Sequence, residues 1–232
     1  MIKGVVFDLD HTLYDRDSSD RVAMGRFYDE FPERIVPGVS RERAQDAIVS
    51  AAHRHIYSGW RAVFACLREE HILQGDFSAF DLTDYFQRTF FTHIVPFPFV
   101  PDMFKALRAM NMRVALITNG RRVYQEGKIA ALNIAPQFDR ILIGDDPNTA
   151  KPHPDLFFDM AASLSCLPEE LIYAGDNPVN DVDASRRAGY VPVWVRTITP
   201  WLYPEIPQPA LQVDTVAEIP ALVARLNGQA NA

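Results

Sequence analysis

A short apolar run, Val5-Val6-Phe7, ends in Asp8-Leu9-Asp10-His11-Thr12-Leu13. Residues i and i+2 of an extended chain point to the same side. Asp8 and Asp10 therefore set two like charges together, at a cost of about 4 kcal/mol for a separation of ~4 Å and an effective dielectric of ~20. A cation, or a proton on one carboxyl, relieves the repulsion; the competing reading is a plain turn, since Asp and His both suit loop starts. Three later segments bear on the choice. Thr118-Asn119-Gly120 offers hydroxyl and amide donors, with the Gly120 N–H among them, beside a helix start where anions are favoured. Lys151-Pro152 supplies a fixed point charge, and Gly175-Asp176-Asn177-Pro178-Val179-Asn180-Asp181 adds carboxylates. Asp8, Asp10 and Asp176 make an oxygen-rich set suited to a hard cation such as Mg2+, which binds through few carboxylates plus phosphate oxygens. A cation, such donors, a lysine and a carboxylate able to attack are what phosphoryl transfer to an acidic side chain requires.

These residues act together only if the fold gathers them at one place. Downstream of residue 101 the pattern alternates: helix 102–110, strand 113–117, helix 123–132, strand 140–143, helix 154–165, strand 171–174, helix 180–188 and strand 191–195. Short apolar strands alternating with helices give βαβ units and a parallel sheet. Ligands of such sheets bind outside the carboxyl ends of the strands, and every segment named above falls at a strand end. The fold class is therefore α/β, with a Rossmann-like parallel core.

Between about Ser18 and His93 the chain reads instead as helical, with few β-branched clusters. Ser40 is a candidate N-cap for a helix carrying Ala44, Ala47, Ile48 and Ala51 on one face. Tyr57-Ser58-Gly59 interrupts it, a second stripe runs through Trp60, Val63, Phe64 and Leu67, and a third covers 82–91. Three prolines exclude Val95–Pro101 from a helix interior or a central strand, so this segment is read as a return linker. The expected domains are a core of 1–14 with 97–232 and a helical insert of 15–96. Four prolines make 200–209 irregular, 217–226 closes the chain as a helix, and 227–232 is expected to fray.

The chain has 232 residues, of which 48% are hydrophobic and 23% charged, enough for one large domain or a core with an insert. Thirty acidic residues against 23 basic ones give a formal charge of -7, which argues against broad nucleic-acid binding and requires a local positive site for any anionic substrate. No apolar stretch approaches the roughly 18 residues of a membrane span. Two aspartates stand where a signal peptide would carry its apolar core, so a cytoplasmic protein with no membrane partner is expected. Cys66 and Cys166 form neither a redox pair nor a zinc pattern and are expected as free, buried thiols.

Taken together, Val5–Leu13, Leu116–Gly120, Lys151–Phe157 and Tyr173–Asp181 resemble the motifs of the haloacid dehalogenase superfamily in its phosphatase branch, with a helical cap inserted after the first motif. The resemblance implies that Asp8 is the nucleophile that becomes an aspartyl phosphate. It implies Asp10 as the acid that protonates the leaving oxygen and then as the base that activates water. Thr118 and Lys151 correspond to phosphate-holding residues, with Asn119 and Gly120 alongside. Asp176 corresponds to the Mg2+ carboxylate, joined by Asp8 and the Asp10 backbone carbonyl, and Asp181 to a supporting acid that orients Lys151 or a bound water. Gly144-Asp145-Asp146-Pro147 departs from the Ser-acidic pattern common before the lysine. The implied activity is Mg2+-dependent hydrolysis of a small phosphorylated metabolite, a nucleoside monophosphate or sugar phosphate, with the cap as the specificity element through Tyr57, Trp60, Arg61 or Phe64. A phosphomutase shares every core motif; a dehalogenase would lack a carboxyl at the position of Asp10, and a non-catalytic phosphate-binding module would have lost Asp8 or Asp10. Arg121 and Arg122 are open between a solvated and a substrate-holding role, and His11 and His153 are read as turn or capping groups.

Overall fold

The computed structural model describes residues 1–77, 81–197 and 201–229. Pro200 and residues 230–232, for which irregular and frayed chain are expected, lie outside them. The chain divides into two compact units, Met1–Asp15 with Pro96–Ala232, and Arg16–Val95. Each crossing falls one residue from the boundary read in the sequence.

The first unit is a six-stranded sheet. Its strands are β1 (Gly4–Phe7), β4 (Arg113–Asn119), β5 (Arg140–Gly144), β6 (Leu171–Gly175), β7 (Val191–Val195) and β8 (Leu211–Val213), while β2 (Tyr14–Asp15) and β3 (Val95–Pro96) are two-residue strands at the crossings. The spatial order is β5-β4-β1-β6-β7-β8, with every neighbouring pair parallel. After β1 the chain builds outward on one side through β4 and β5, then returns to the other side of β1 for β6. This reversal is the topological switch point at which open α/β sheets bind ligands. Phe7 pairs with Leu116 on one side and Ala174 on the other. Asp8 therefore leaves the sheet between the ends of β4 and β6.

Val5, Val6 and Phe7 are fully buried, the continuous apolar run of a strand covered on both faces. Val6, Ala115, Ile117 and Tyr173 pack against Phe157 and Met160 of α7 (Asp155–Ser163). Phe7 meets Phe104 edge-on at 6.1 Å, and Phe104 meets Phe138 at 5.3 Å; Phe104 belongs to α5 (Val100–Ala109). That helix begins inside the proline-rich stretch read as linker, because Pro101 occupies its first turn, where no N–H is required. The remaining core helices are α6 (Arg122–Ala131), α8 (Ala184–Arg187) and α9 (Ile219–Gln229). The helix expected over 180–188 is only partly α-helical: a π-turned segment, Pro178–Asp183, precedes α8. There the Asn177 carbonyl accepts from Val182, a five-residue step, and the Asn177 side chain accepts from the N–H groups of Val179 and Asn180.

The second unit is helical: α1 (Arg16–Glu30), α2 (Arg41–Arg54), α3 (Gly59–Glu69) and α4 (Leu82–His93). Ser40 caps α2 by accepting from the Arg43 N–H at 3.1 Å, and Asp81 caps α4 through Asp84 in the same way. Its core includes Met24, Phe27, Ile48, Phe64, Leu67 and Phe86. Phe64 is therefore core packing, Trp60 stacks on it at 5.5 Å, and Tyr57 is half exposed. Both cysteines are free, but only Cys66 is buried; Cys166 is half-buried, which corrects the expectation for it. Among the described residues no helix is long and apolar enough to cross a membrane.

Candidate active site

At the carboxyl ends of β1, β4 and β6 the segments singled out in the sequence meet. Asp8, in the first position beyond β1, is buried, and its N–H donates to the Ala174 carbonyl. One carboxylate oxygen of each of Asp8, Asp176 and Asp181 lies within 4.8 Å of the others. Buried carboxylates so close, offering oxygen donors alone, match the preference of Mg2+ for hard ligands. The Asp10 carboxylate is not a member of that cluster. Asp176 is anchored through its backbone, where its carbonyl accepts from the Trp194 indole at 3.0 Å.

Lys151 is the counter-charge. Its Nζ lies 2.7 Å from Asp8 Oδ1 and 2.7 Å from Asp181 Oδ1, with the Tyr173 hydroxyl at 2.9 Å and the Ile117 carbonyl at 3.2 Å. Burial works against the Lys151 ammonium, but the Asp181 and Asp8 carboxylates outweigh it and hold its pKa well above the ordinary lysine value. The second oxygen of Asp181 accepts from the Asn177 N–H, so this acid ties Lys151 to the loop after β6. Gly175 makes that approach possible, since a Cβ there would lie 2.5 Å from Asp181 Cγ. For Asp8 the balance runs the other way. Burial pushes its carboxyl up to about 7, with the Asp181 and Asp10 charges adding to the rise and Lys151 opposing it. Only Oδ1 is held by Lys151; among the described residues Oδ2 accepts no hydrogen bond.

Two residues expected to hold phosphate have other duties. The Asn119 side chain donates to the Lys151 carbonyl at 2.6 Å and accepts from the Lys151 N–H at 3.0 Å, clamping the lysine's backbone. The Gly120 N–H donates to the Gly144 carbonyl. In this structure that donor serves the end of β5. Thr118 is buried beside them, and its hydroxyl accepts from Gln125 Nε2 at 2.5 Å.

Asp10 sits among donors that the motifs do not contain. Lys128 Nζ is 2.8 and 3.1 Å from its two carboxylate oxygens, the Tyr14 hydroxyl is 2.5 Å from Oδ1, and Gln125 Nε2 is 3.2 Å from Oδ2. Of the two arginines, Arg121 donates to the Tyr124 hydroxyl, and Arg122 pairs with Asp145. His11 has a φ of 61° in the turn after Asp10, and exposed His153 lies 3.4 Å from Asp155. Tyr14, Gln125, Lys128 and Tyr173 were missed in the sequence. The one available signal lies in α6, where Tyr124, Gln125, Lys128 and Ile129 form its buried stripe and two of the four are polar.

A model of the haloacid dehalogenase-like hydrolases matches residues 2–189, most of the chain and every motif above. The chain belongs to this family. Among curated proteins it is 27% identical over 207 residues to the glyceraldehyde 3-phosphate phosphatase of Methanopyrus kandleri, covering 84% of each chain. It is 28% identical over 205 residues to the phosphoglycolate phosphatase of Salmonella typhimurium, covering 81% of this chain and 79% of that one. Its fold superposes on the HAD-hydrolase YfnB of Bacillus subtilis, solved bound to magnesium, with a TM-score of 0.77 at 19% identity, over 95% of this chain and 98% of the other. This HAD-like protein is a phosphoric monoester hydrolase with a Rossmann-like core and an inserted helical cap domain.

Proposed function

We propose that this HAD-like phosphatase is Mg2+-dependent and hydrolyses small-metabolite phosphate monoesters, nucleoside monophosphates or sugar phosphates, through an aspartyl phosphate on Asp8. The reading is carried by Asp8 itself: a buried carboxylate with one oxygen held by Lys151 and the other open, inside a cluster of carboxylates. Asp8 and Asp176, with the Asp10 backbone carbonyl, would hold the cation, which when bound supplies the positive charge that offsets the clustered acids and the incoming phosphate.

The chain's own groups divide the remaining work. Asp8 Oδ2 attacks phosphorus, forming the acyl phosphate bond as the ester P–O bond breaks, and Asp10 gives its proton to the departing oxygen. Asp10 then takes a proton from water, whose oxygen attacks phosphorus and returns Asp8 as a carboxylate. Lys151 holds Asp8 in place and neutralises part of the phosphoryl charge, and Asp181 fixes Lys151. Substrate size is inferred from relatives named for glyceraldehyde 3-phosphate and phosphoglycolate, and the acidic balance of the chain disfavours a nucleic acid.

The test is rapid acid quenching of protein turning over a 32P-labelled monoester with Mg2+. The expected result is a hydroxylamine-sensitive label on Asp8, absent in Asp8→Asn, together with loss of turnover in chelator. A label on another residue, or full turnover in chelator, would overturn the reading.

A further inference from the structure

Tyr14, Gln125 and Lys128, which hold the Asp10 carboxylate, belong to none of the recognised motifs, and the last two lie three residues apart on one face of α6. We propose that Gln125 and Lys128 are positioning residues for phosphoryl transfer: Gln125 sets the direction of the Thr118 hydroxyl, and both residues hold the Asp10 carboxylate in place. The proposal rests on the Asp8-centred reading above.

Hydrogen-bond accounting fixes the role of Gln125. Its Nε2 reaches Thr118 Oγ1 at 2.5 Å and Asp10 Oδ2 at 3.2 Å, so its two N–H bonds join the phosphate-holding residue to the acid–base residue. A hydroxyl has one hydrogen to give. Because Thr118 Oγ1 accepts from Gln125, that hydrogen points elsewhere, and among the described residues nothing takes it. With the Gly120 N–H committed to Gly144 and the Asn119 side chain to Lys151, the Thr118 hydroxyl is the side-chain donor this turn retains for a phosphoryl oxygen. Gly120, with a φ of +137°, leaves the space: a Cβ on it would stand 3.3 Å from Gln125 Cδ.

Lys128 acts on the other member of the pair. Its ammonium bridges both Asp10 oxygens at 2.8 and 3.1 Å, with side-chain exposures of 8% for Lys128 and 17% for Asp10. A largely desolvated ion pair with further donors from Tyr14 and Gln125 fixes the carboxylate's position far more closely than a solvated pair would. Lys128 acts through Asp10, so its effect on turnover should be concentrated in the step in which Asp10 handles a proton.

The experiment compares Gln125→Leu, Gln125→Glu, Lys128→Met and Lys128→Arg with the wild type on p-nitrophenyl phosphate and on glycerol phosphate, each with Mg2+. Binding of orthovanadate, read from the shift in unfolding temperature, is followed in parallel. Gln125→Leu should raise KM for p-nitrophenyl phosphate about tenfold and weaken orthovanadate by a similar factor, with little change in kcat. Gln125→Glu keeps the size but turns the donor into an acceptor for the threonine hydrogen and sets a second carboxylate against Asp10, so it should weaken orthovanadate at least as much as Leu does and also lower kcat for glycerol phosphate. Lys128→Met should lower kcat for glycerol phosphate at least about thirtyfold, since an alkoxide needs a placed proton donor, while p-nitrophenyl phosphate changes little. Lys128→Arg should recover most of that loss. Equal losses on both substrates, or unaltered orthovanadate binding in both Gln125 variants, would overturn the assignment. Asp8→Asn, assayed alongside, separates the two levels: turnover by that variant removes the underlying reading, whereas its inactivity with unselective Lys128 effects removes only the positioning roles.

Discussion

Replacing the nucleophile should make the cation-free protein more stable at alkaline pH. Asp8 is a buried acid whose pKa is raised from 3.8 to about 7 by burial and by the charges of Asp181 and Asp10, against the pull of Lys151. For a group whose folded pKa lies above its unfolded value, the stabilising contribution is complete below the unfolded pKa and is lost as pH rises through the folded one. The wild type should therefore lose stability between about pH 4 and pH 7 through this group. At ~1.4 kcal/mol per pH unit the ceiling is about 4 kcal/mol. Asn has no proton to lose, and the pull of Lys151 is already contained in the value of about 7, so Asp8→Asn escapes this loss. The expectation in chelator at pH 8 is a gain of up to about 4 kcal/mol, or up to roughly 8–16 °C in Tm for a chain of this length. Scanning calorimetry in chelator at several pH values checks it, with the core unit followed separately by hydrogen exchange in β6. The advantage should vanish toward pH 4, and saturating Mg2+ should reverse the order by favouring the ionised wild-type carboxylate. An Asp8→Asn protein less stable than wild type at pH 8 in chelator would refute the reasoning, because burial would then not be the dominant influence on Asp8.

Three further outcomes follow from the same geometry. Asp10→Ala should slow alkyl phosphates far more than p-nitrophenyl phosphate, which steady-state kcat on the two classes checks; equal losses would exclude an acid role. His53 lies 2.9 Å from Asp17, and that hydrogen bond raises its pKa above 6.5 despite burial. The contribution of His53 is complete below about pH 6.5 and fades as pH rises through the folded value, so His53→Gln should cost the helical unit stability at pH 5.5 and almost nothing at pH 9 by thermal unfolding. Gly175→Ala places a Cβ 2.5 Å from Asp181 Cγ; it should cost about 1–3 kcal/mol and more than tenfold in kcat through a displaced Lys151. Wild-type turnover by that variant would show that Asp181 does not need its present position.

The legible part of the molecule was the part written as departures from strand pattern. Val5-Val6-Phe7 is an apolar run that stops at a carboxylate, and Leu171–Gly175 stops at another. Such endings mark strand ends because a parallel strand is buried on both faces and excludes charge until it leaves the sheet. Adjacency was also recoverable, since alternation of strand and helix implies a parallel sheet with its loops at one end. The sequence could not reveal how each donor is spent. The Gly120 N–H and the Asn119 amide looked like phosphate ligands, but strand register places Asn119 opposite Gly144, and the nearest acceptors there belong to the protein. Register between β4 and β5 depends on contacts across more than 20 residues of chain, which local pattern does not encode.

Tyr173 was hidden for a related reason. A tyrosine in a buried strand reads as an aromatic filling the core, and its ring does pack on Phe157 at 5.1 Å. Its hydroxyl nevertheless reaches Lys151 and the Ile117 carbonyl, so one side chain serves the core and the site, as an amphipathic residue can. Gln125 and Lys128 mislead in the opposite direction, because long polar side chains on a helix are usually solvated. Their position among Tyr124 and Ile129 on the inward stripe of α6 says otherwise, since burying an amide and an ammonium costs several kcal/mol unless each finds partners. A polar residue on an apolar stripe therefore implies an unseen acceptor. Here that acceptor is Asp10, brought within reach from more than a hundred residues earlier in the chain.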